Sequence, residues 1–186
     1  SFPWFQKYFL IFAIGMTSAA WLGHGLQAYV TANFKIIGWA CGATGLMFLQ
    51  IGSLKLIEKQ LTPRLRKVLP RWFNLQWLVA ISLMFYFLSS GIETAFKVTQ
   101  VNSVVALWGF VLPMHLFSYY KLKNKASKII IIALLYSLVP GIVYSTQFSI
   151  SRWFNYHDIS HVLMAIFMTL MFLGLHQLVK PTNSFE

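Results

Sequence analysis

The chain has 186 residues, of which 58% are hydrophobic and 10% are charged, and its formal net charge is +11. A soluble domain carries about 25% charged residues, so this composition excludes an ordinary soluble globular protein. The basic residues lie in short segments between long apolar runs, which argues against a nucleic-acid-binding surface. Apolar runs of roughly 20 residues recur along the chain, and a helix of that length crosses a bilayer. We therefore predict an all-α fold, a polytopic integral membrane protein with one domain, residues 1–186, and six transmembrane helices.

The apolar runs give the approximate bounds of the six predicted helices. In chain order they are Phe5–Leu26, Phe34–Ile57, Trp72–Phe96, Val101–Tyr120, Lys128–Thr146 and Asn155–Val179. We expect the first run to be a membrane helix and not a cleaved leader, because no basic leader precedes it. Pro113 and the Pro140-Gly141 pair lie inside the fourth and fifth helices and are expected to kink them.

Lysine and arginine are divided unevenly between the two predicted sides of the membrane. All of the 15 except Lys35, Lys97 and Arg152 lie near the termini or in the loops at residues 55–71 and 121–128. Cytoplasmic loops carry the excess of basic residues, so both termini and these two loops are predicted to face the cytoplasm. The small size and short loops suggest a bacterial inner membrane, and an internal eukaryotic membrane is also compatible.

Histidines and acids gather at the other, non-cytoplasmic side. His24 lies near the outer end of the first predicted helix and Glu93 near the outer end of the third, while His157, Asp158 and His161 lie in the first two turns of the sixth. Ionisable residues inside a membrane are costly, and they usually mark a functional site.

The spacing of His157 and His161 is typical of a metal site on a helix. Residues four apart lie on one face, one turn from each other. With His24 as third ligand they would form a three-histidine zinc site with an open position for water. We expect Glu93 to act as general base and Asp158, about 100° away around the helix, to support a ligand imidazole. Two structural alternatives remain: the paired histidines hydrogen-bond across the bundle, and Glu93 pairs with Lys97.

His24 and the pair His157-x-x-x-His161 resemble the zinc-ligand pattern of the CREST superfamily, which includes alkaline ceramidases and adiponectin/progestin receptors. In that family a histidine near the end of an early helix joins a His-x-x-x-His pair that opens the last helix. The family serine four residues before the first histidine is replaced here by Ala20. The acid of the family's following helix has no counterpart, and Glu93 would take its place.

The resemblance implies a zinc-dependent membrane hydrolase that cleaves a lipid amide or ester. Two other functions stay open. A membrane cytochrome would use histidines of facing helices as axial haem ligands, although an i,i+4 pair on one helix has poor geometry for that role. A receptor or scaffold would hold zinc only as a structural ion.

Overall fold

In the computed structural model the described residues are 2–21, 26, 29 and 32–179, and they form helices and short turns with no β-strand among them. The helices are α1 (Phe2–Ala20), α2 (Lys35–Ile57), α3 (Pro63–Leu88), α4 (Ile92–Val104), α5 (Leu112–Tyr120), α6 (Ala126–Tyr136), α7 (Leu138–Thr146) and α8 (Tyr156–Val179). A π-helical segment, Val105–Val111, joins α4 to α5. The predicted all-α fold class is confirmed.

Several helical segments have the dimensions of membrane spans. Within the described residues five of them, each 21 to 29 residues long, are apolar enough to cross a bilayer. They are α2 with its following 3-10 turn, α3, the rod from α4 to α5, the rod from α6 to α7, and α8. A hydrocarbon core of about 30 Å requires about 20 helical residues. The helix α1 is not among these five.

The predicted start of the third helix is wrong by nine residues, because α3 begins at Pro63 and not at Trp72. The Thr62 side chain accepts a hydrogen bond from the Leu65 amide at 3.4 Å, and proline takes the first helical position. Both features favour a helix start, since a hydroxyl satisfies an orphan amide and proline has none to satisfy. Much of the basic segment predicted as a loop is therefore the first two turns of α3.

The turn between the third and fourth helices also differs from the prediction. The helix α3 ends at Leu88 and α4 begins at Ile92, whereas the predicted third helix ran to Phe96. Gly91 has a φ of 119°, a region that side-chain-bearing residues rarely adopt. The segment Ser89-Ser90-Gly91 carries a turn signal, which the prediction did not use as a helix boundary. As a consequence Glu93 belongs to the first turn of the fourth helix and not to the end of the third.

The two helices with a predicted proline kink are irregular close to that proline, whereas α3 continues through Pro70. Proline cannot donate to the carbonyl four residues earlier. For Pro140 that carbonyl belongs to Tyr136, where α6 ends before α7 resumes after Ser137. For Pro113 it belongs to Gly109, which lies in the π-helical segment. Each helix is therefore irregular on the N-terminal side of its proline, and the kinks themselves stay a prediction.

The chain forms two compact units, Ser1–Met114 and His115–Glu186. In the first unit α1 packs along α2, which also contacts α3, α4 and the π-helical segment, while α3 and α4 form a hairpin. In the second unit α8 packs against α6 and α7.

Glycine permits the close approach of α1 and α2. A Cβ atom added to Gly15 would lie 2.7 Å from Cys41 Cβ and 3.1 Å from the Gly38 carbonyl oxygen. One added to Gly52 would lie 2.5 Å from the buried ring of Phe5. Small residues let helix backbones approach closely in membrane proteins, where packing replaces the hydrophobic effect as the force between helices. The sequence pattern of α1 and α2 is therefore that of a tightly packed pair.

Side-chain amides join α2, α3 and α4. Gln50 Nε2 donates to Gln76 Oε1 at 3.0 Å, and Gln76 Nε2 donates to Asn102 Oδ1 at 2.9 Å. Gln50 and Asn102 are both buried. A buried amide without a partner would cost free energy, so this chain of bonds favours one register of the three helices.

Candidate metal site on the last helix

The candidate site lies at the start of α8, where local hydrogen bonds define the first turn. The Asn155 side-chain oxygen accepts from the His157 amide at 2.8 Å, and Asp158 Oδ2 accepts from the Asn155 amide at 3.1 Å. This reciprocal pair is a capping box with Asn and Asp in place of the commoner Ser or Thr and Glu. The negative charge of Asp158 also lies at the positive end of the helix dipole. Helix initiation is thereby fixed immediately before the first candidate ligand.

His157 and His161 lie on one face of α8, one turn apart, and both are exposed. The Cβ atoms of such a pair are about 5–6 Å apart, which allows two imidazole nitrogens to approach one ion. The predicted placement of this pair on the opening turns of the last helix is confirmed. The donor types fit zinc, which binds imidazole nitrogen readily.

Aromatic rings flank His157. Its ring centroid lies 4.0 Å from that of Tyr156 and 5.6 Å from that of Tyr144 on α7. Tyr144 and Tyr156 also contact each other edge to face at 5.6 Å. These contacts restrict the orientation of the imidazole. Sequence reasoning missed Tyr144, because only the packing of α7 on α8 brings it to the pair.

The carboxylate of Asp158 has a structural partner. The sequence assigned it to the support of a ligand imidazole, and the structure shows it bonded to the Asn155 amide. It therefore positions the histidines through the helix start. A role in catalysis stays a prediction.

The other two predicted site residues are Glu93 and His24. Glu93 is exposed in the first turn of α4, in the first unit, and no ion pair joins it to Lys97 in the described part of the chain. His24 lies outside the described residues. Among residues 2–21, 26, 29 and 32–179 no group of three or more His, Cys, Asp or Glu side chains could hold a metal ion.

The remaining histidines lie away from the start of α8. His115 is buried, with Nδ1 3.2 Å from Ser127 Oγ, as expected for a packed histidine. His176 is exposed near the end of α8 and stacks on Phe172, with ring centroids 5.7 Å apart. It offers a matched control for the candidate pair.

A polar cluster in the first unit was missed by the sequence reasoning, which sorted charged residues and histidines only. The amides of Gln50, Gln76 and Asn102 interrupt apolar runs, and that interruption is a signal of interhelical hydrogen bonding. Sorting all polar residues by depth would have found three candidates for the network, but not their pairing.

Comparison with known proteins gives one assignment. No curated protein and no solved structure matches the sequence. The model of a family of unknown function, DUF6962, matches residues 1–180. The chain therefore belongs to DUF6962.

Proposed function

We propose that this protein is a zinc-dependent integral membrane hydrolase that cleaves an amide or ester bond of a lipid. The observation that carries the proposal is the pair His157 and His161, exposed on one face of the first two turns of α8. Exposed, paired imidazoles beside a rigid helix start suit a metal site better than a packing role.

The proposed membrane arrangement has six spans, with α1 added to the five segments that meet the length and apolarity of a span. Both termini and the basic loops face the cytoplasm, and the start of α8 lies near the opposite face. A test introduces single cysteines in a Cys41→Ser background. Arg152→Cys should react with a membrane-impermeant maleimide in intact cells, and Lys123→Cys should react only after lysis. The reverse pattern would overturn this orientation.

The residues of the proposed site bind the metal, hold the helix start, orient an imidazole or accept a proton. His157 and His161 bind the metal, and the sequence assigns the third ligand to His24. Zinc, when bound, supplies a Lewis acid for the substrate carbonyl and lowers the pKa of its water. Asp158 and Asn155 hold the helix start, while Tyr144 and Tyr156 restrict the His157 ring. Glu93 is the proposed proton acceptor, an assignment that comes from the sequence alone.

The first test measures the metal content of the full chain purified in detergent. We expect roughly one zinc per chain, because the three histidines form a single site. In a catalytic zinc site three protein ligands leave the fourth position open for water. His157→Ala and His161→Ala should each lose the metal. The control is His176→Ala, which changes another exposed histidine of the same helix and should retain it.

The second test measures hydrolysis of lipid amides and esters presented in mixed micelles. Turnover by the wild type and its loss in the two ligand variants would support the hydrolase. Zinc without turnover would favour the receptor or scaffold. A haem absorption band with no zinc would favour the cytochrome. Absence of both zinc and haem would indicate that the histidines only pack between helices.

A further inference from the structure

A second candidate site lies in the first unit, on the hairpin of α3 and α4. A groove of about 490 Å³ runs between the two helices, within the range of about 300–1,000 Å³ that small-molecule sites occupy. Its walls are mainly apolar and include Trp72, Leu75, Val79, Leu83, Val98 and Val101.

The groove is at least as long as one leaflet of a bilayer. The wall on α4 runs from Thr94 to Val105, the first residue of the π-helical segment, and the wall on α3 runs from Trp72 to Phe87. A rise of 1.5 Å per residue gives about 16 Å for the first wall and about 22 Å for the second. The hydrocarbon core of a bilayer is about 30 Å thick, so one leaflet spans roughly half of that. An extended acyl chain of a single lipid therefore suits the groove.

The two amide side chains that line the groove are already bonded to protein. Gln76 and Asn102 line it, but the amide of Gln76 donates to Asn102 Oδ1 at 2.9 Å and accepts from Gln50 at 3.0 Å. These bonds remove the need for a polar occupant or water at this depth. The groove therefore accepts an apolar chain without leaving Gln76 unpaired.

A cation stands on the same wall. Lys97 lines the groove in the second turn of α4, and its side chain is exposed. Within the described part of the chain it forms no ion pair, and Glu93, one turn earlier, does not line the groove. A lysine near a helix end extends its ammonium to the membrane interface along its own apolar stem. The charge therefore suits an anionic headgroup above the acyl chain.

We propose that the α3–α4 groove binds one acyl chain of an anionic phospholipid, with the lipid phosphate paired to Lys97. The occupant is a phospholipid of the leaflet that contains the turn Ser89–Gly91. This site is independent of the histidine pair on α8 and of the proposed hydrolysis. The proposal rests on three features of the groove: its apolar walls, its hydrogen-bonded amides and the cation on its α4 wall.

The test reconstitutes the full chain in nanodiscs of equal phosphatidylglycerol and phosphatidylcholine. Native mass spectrometry then counts the lipids that remain bound. We expect one retained phosphatidylglycerol, preferred about fivefold over phosphatidylcholine, the factor that one lysine near an anionic lipid supplies. Lys97→Gln should abolish the preference while the fold, checked by circular dichroism, is unchanged.

A matched pair of valines tests the groove itself. Val101 lines it and is 64% exposed, whereas Val104 on the same helix is 60% exposed and does not line it. Val101→Trp should fill the groove and release the lipid, and Val104→Trp should retain it. Equal retention by both variants, equal retention of the two phospholipids by the wild type, or preferential retention of added oleate would each overturn the proposal.

Discussion

Replacing Gly15 by alanine adds one methyl group at the contact of α1 with α2. That carbon would lie 2.7 Å from Cys41 Cβ and 3.1 Å from the Gly38 carbonyl oxygen. Non-bonded carbons pack best at about 3.5–4.0 Å, so the first contact is about 1 Å too short. Because Cys41 Cβ is attached directly to the backbone, no side-chain rotation relieves the overlap. The two helices must move apart.

The magnitude follows from two opposing effects. Overpacking of this kind lowers the free energy of unfolding by about 1–3 kcal/mol. The higher helix propensity of alanine raises it by about 1 kcal/mol. Gly42 provides the matched control, since a Cβ added there meets nothing within 4 Å and only the propensity gain remains. The two variants should therefore differ by the overpacking cost. Taken as about 2 kcal/mol, it corresponds to a difference in Tm of roughly 4–8 °C for a chain of this size.

The assay is thermal unfolding in detergent, followed by circular dichroism for the wild type, Gly15→Ala and Gly42→Ala. A second measurement is the rate of maleimide labelling of Cys41, the single cysteine of the chain. Separation of the helices should accelerate this labelling in Gly15→Ala. A Tm for Gly15→Ala equal to that of Gly42→Ala would refute the close approach of α1 and α2.

Three further substitutions test the amide network and the start of α8. Asn102→Ala removes the Oδ1 acceptor of Gln76 and should lower the free energy of unfolding by about 0.6–1.7 kcal/mol. The control is Gln100→Ala, which removes an exposed amide of the same helix and should change the free energy of unfolding by less than about 0.5 kcal/mol. Equal thermal stability of these two variants would contradict the network. Asn155→Ala removes the side-chain oxygen that accepts from the His157 amide, and it should lower the free energy of unfolding by about 1 kcal/mol. It should also accelerate amide hydrogen exchange in the first turn of α8, and unchanged exchange would argue against the cap. Asp158→Asn keeps an oxygen acceptor for the Asn155 amide, so hydrogen exchange in that turn should be nearly unchanged. If this variant loses hydrolysis while exchange is unchanged, the carboxylate has a chemical role beyond capping.

The candidate site shows how local the successful predictions are. The placement of His157 and His161 on one helical face requires only the period of a helix, and the apolar run that follows them specifies that helix. The roles of their neighbours required more. Asp158 bonds to a backbone amide three residues earlier, and Tyr144 reaches His157 from another helix. Neither contact can be read from the spacing of ligand residues.

The boundary between α3 and α4 shows a second kind of limit. The segment Ser89-Ser90-Gly91 is a turn signal, but the predicted third helix ran through it to Phe96, and Glu93 was therefore assigned to the wrong helix. Thr62 and Pro63 form a helix start signal. A third helix predicted from that signal would begin nine residues earlier, and the predicted bounds of α3 and α4 would both shift toward the N-terminus.

The sequence by itself determined the all-α fold class, the length of the apolar helical segments, the helix irregularities near Pro113 and Pro140, and the shared face of the histidine pair. Each depends on composition or on residues within one or two turns. Only the tertiary structure decided the contact of Gly15 with Cys41, the bond from Gln76 to Asn102 and the groove beside Lys97. These features depend on which helix faces meet. Residues 26 apart, such as Gln76 and Asn102, are brought together by packing, and no local period along the chain records that pairing.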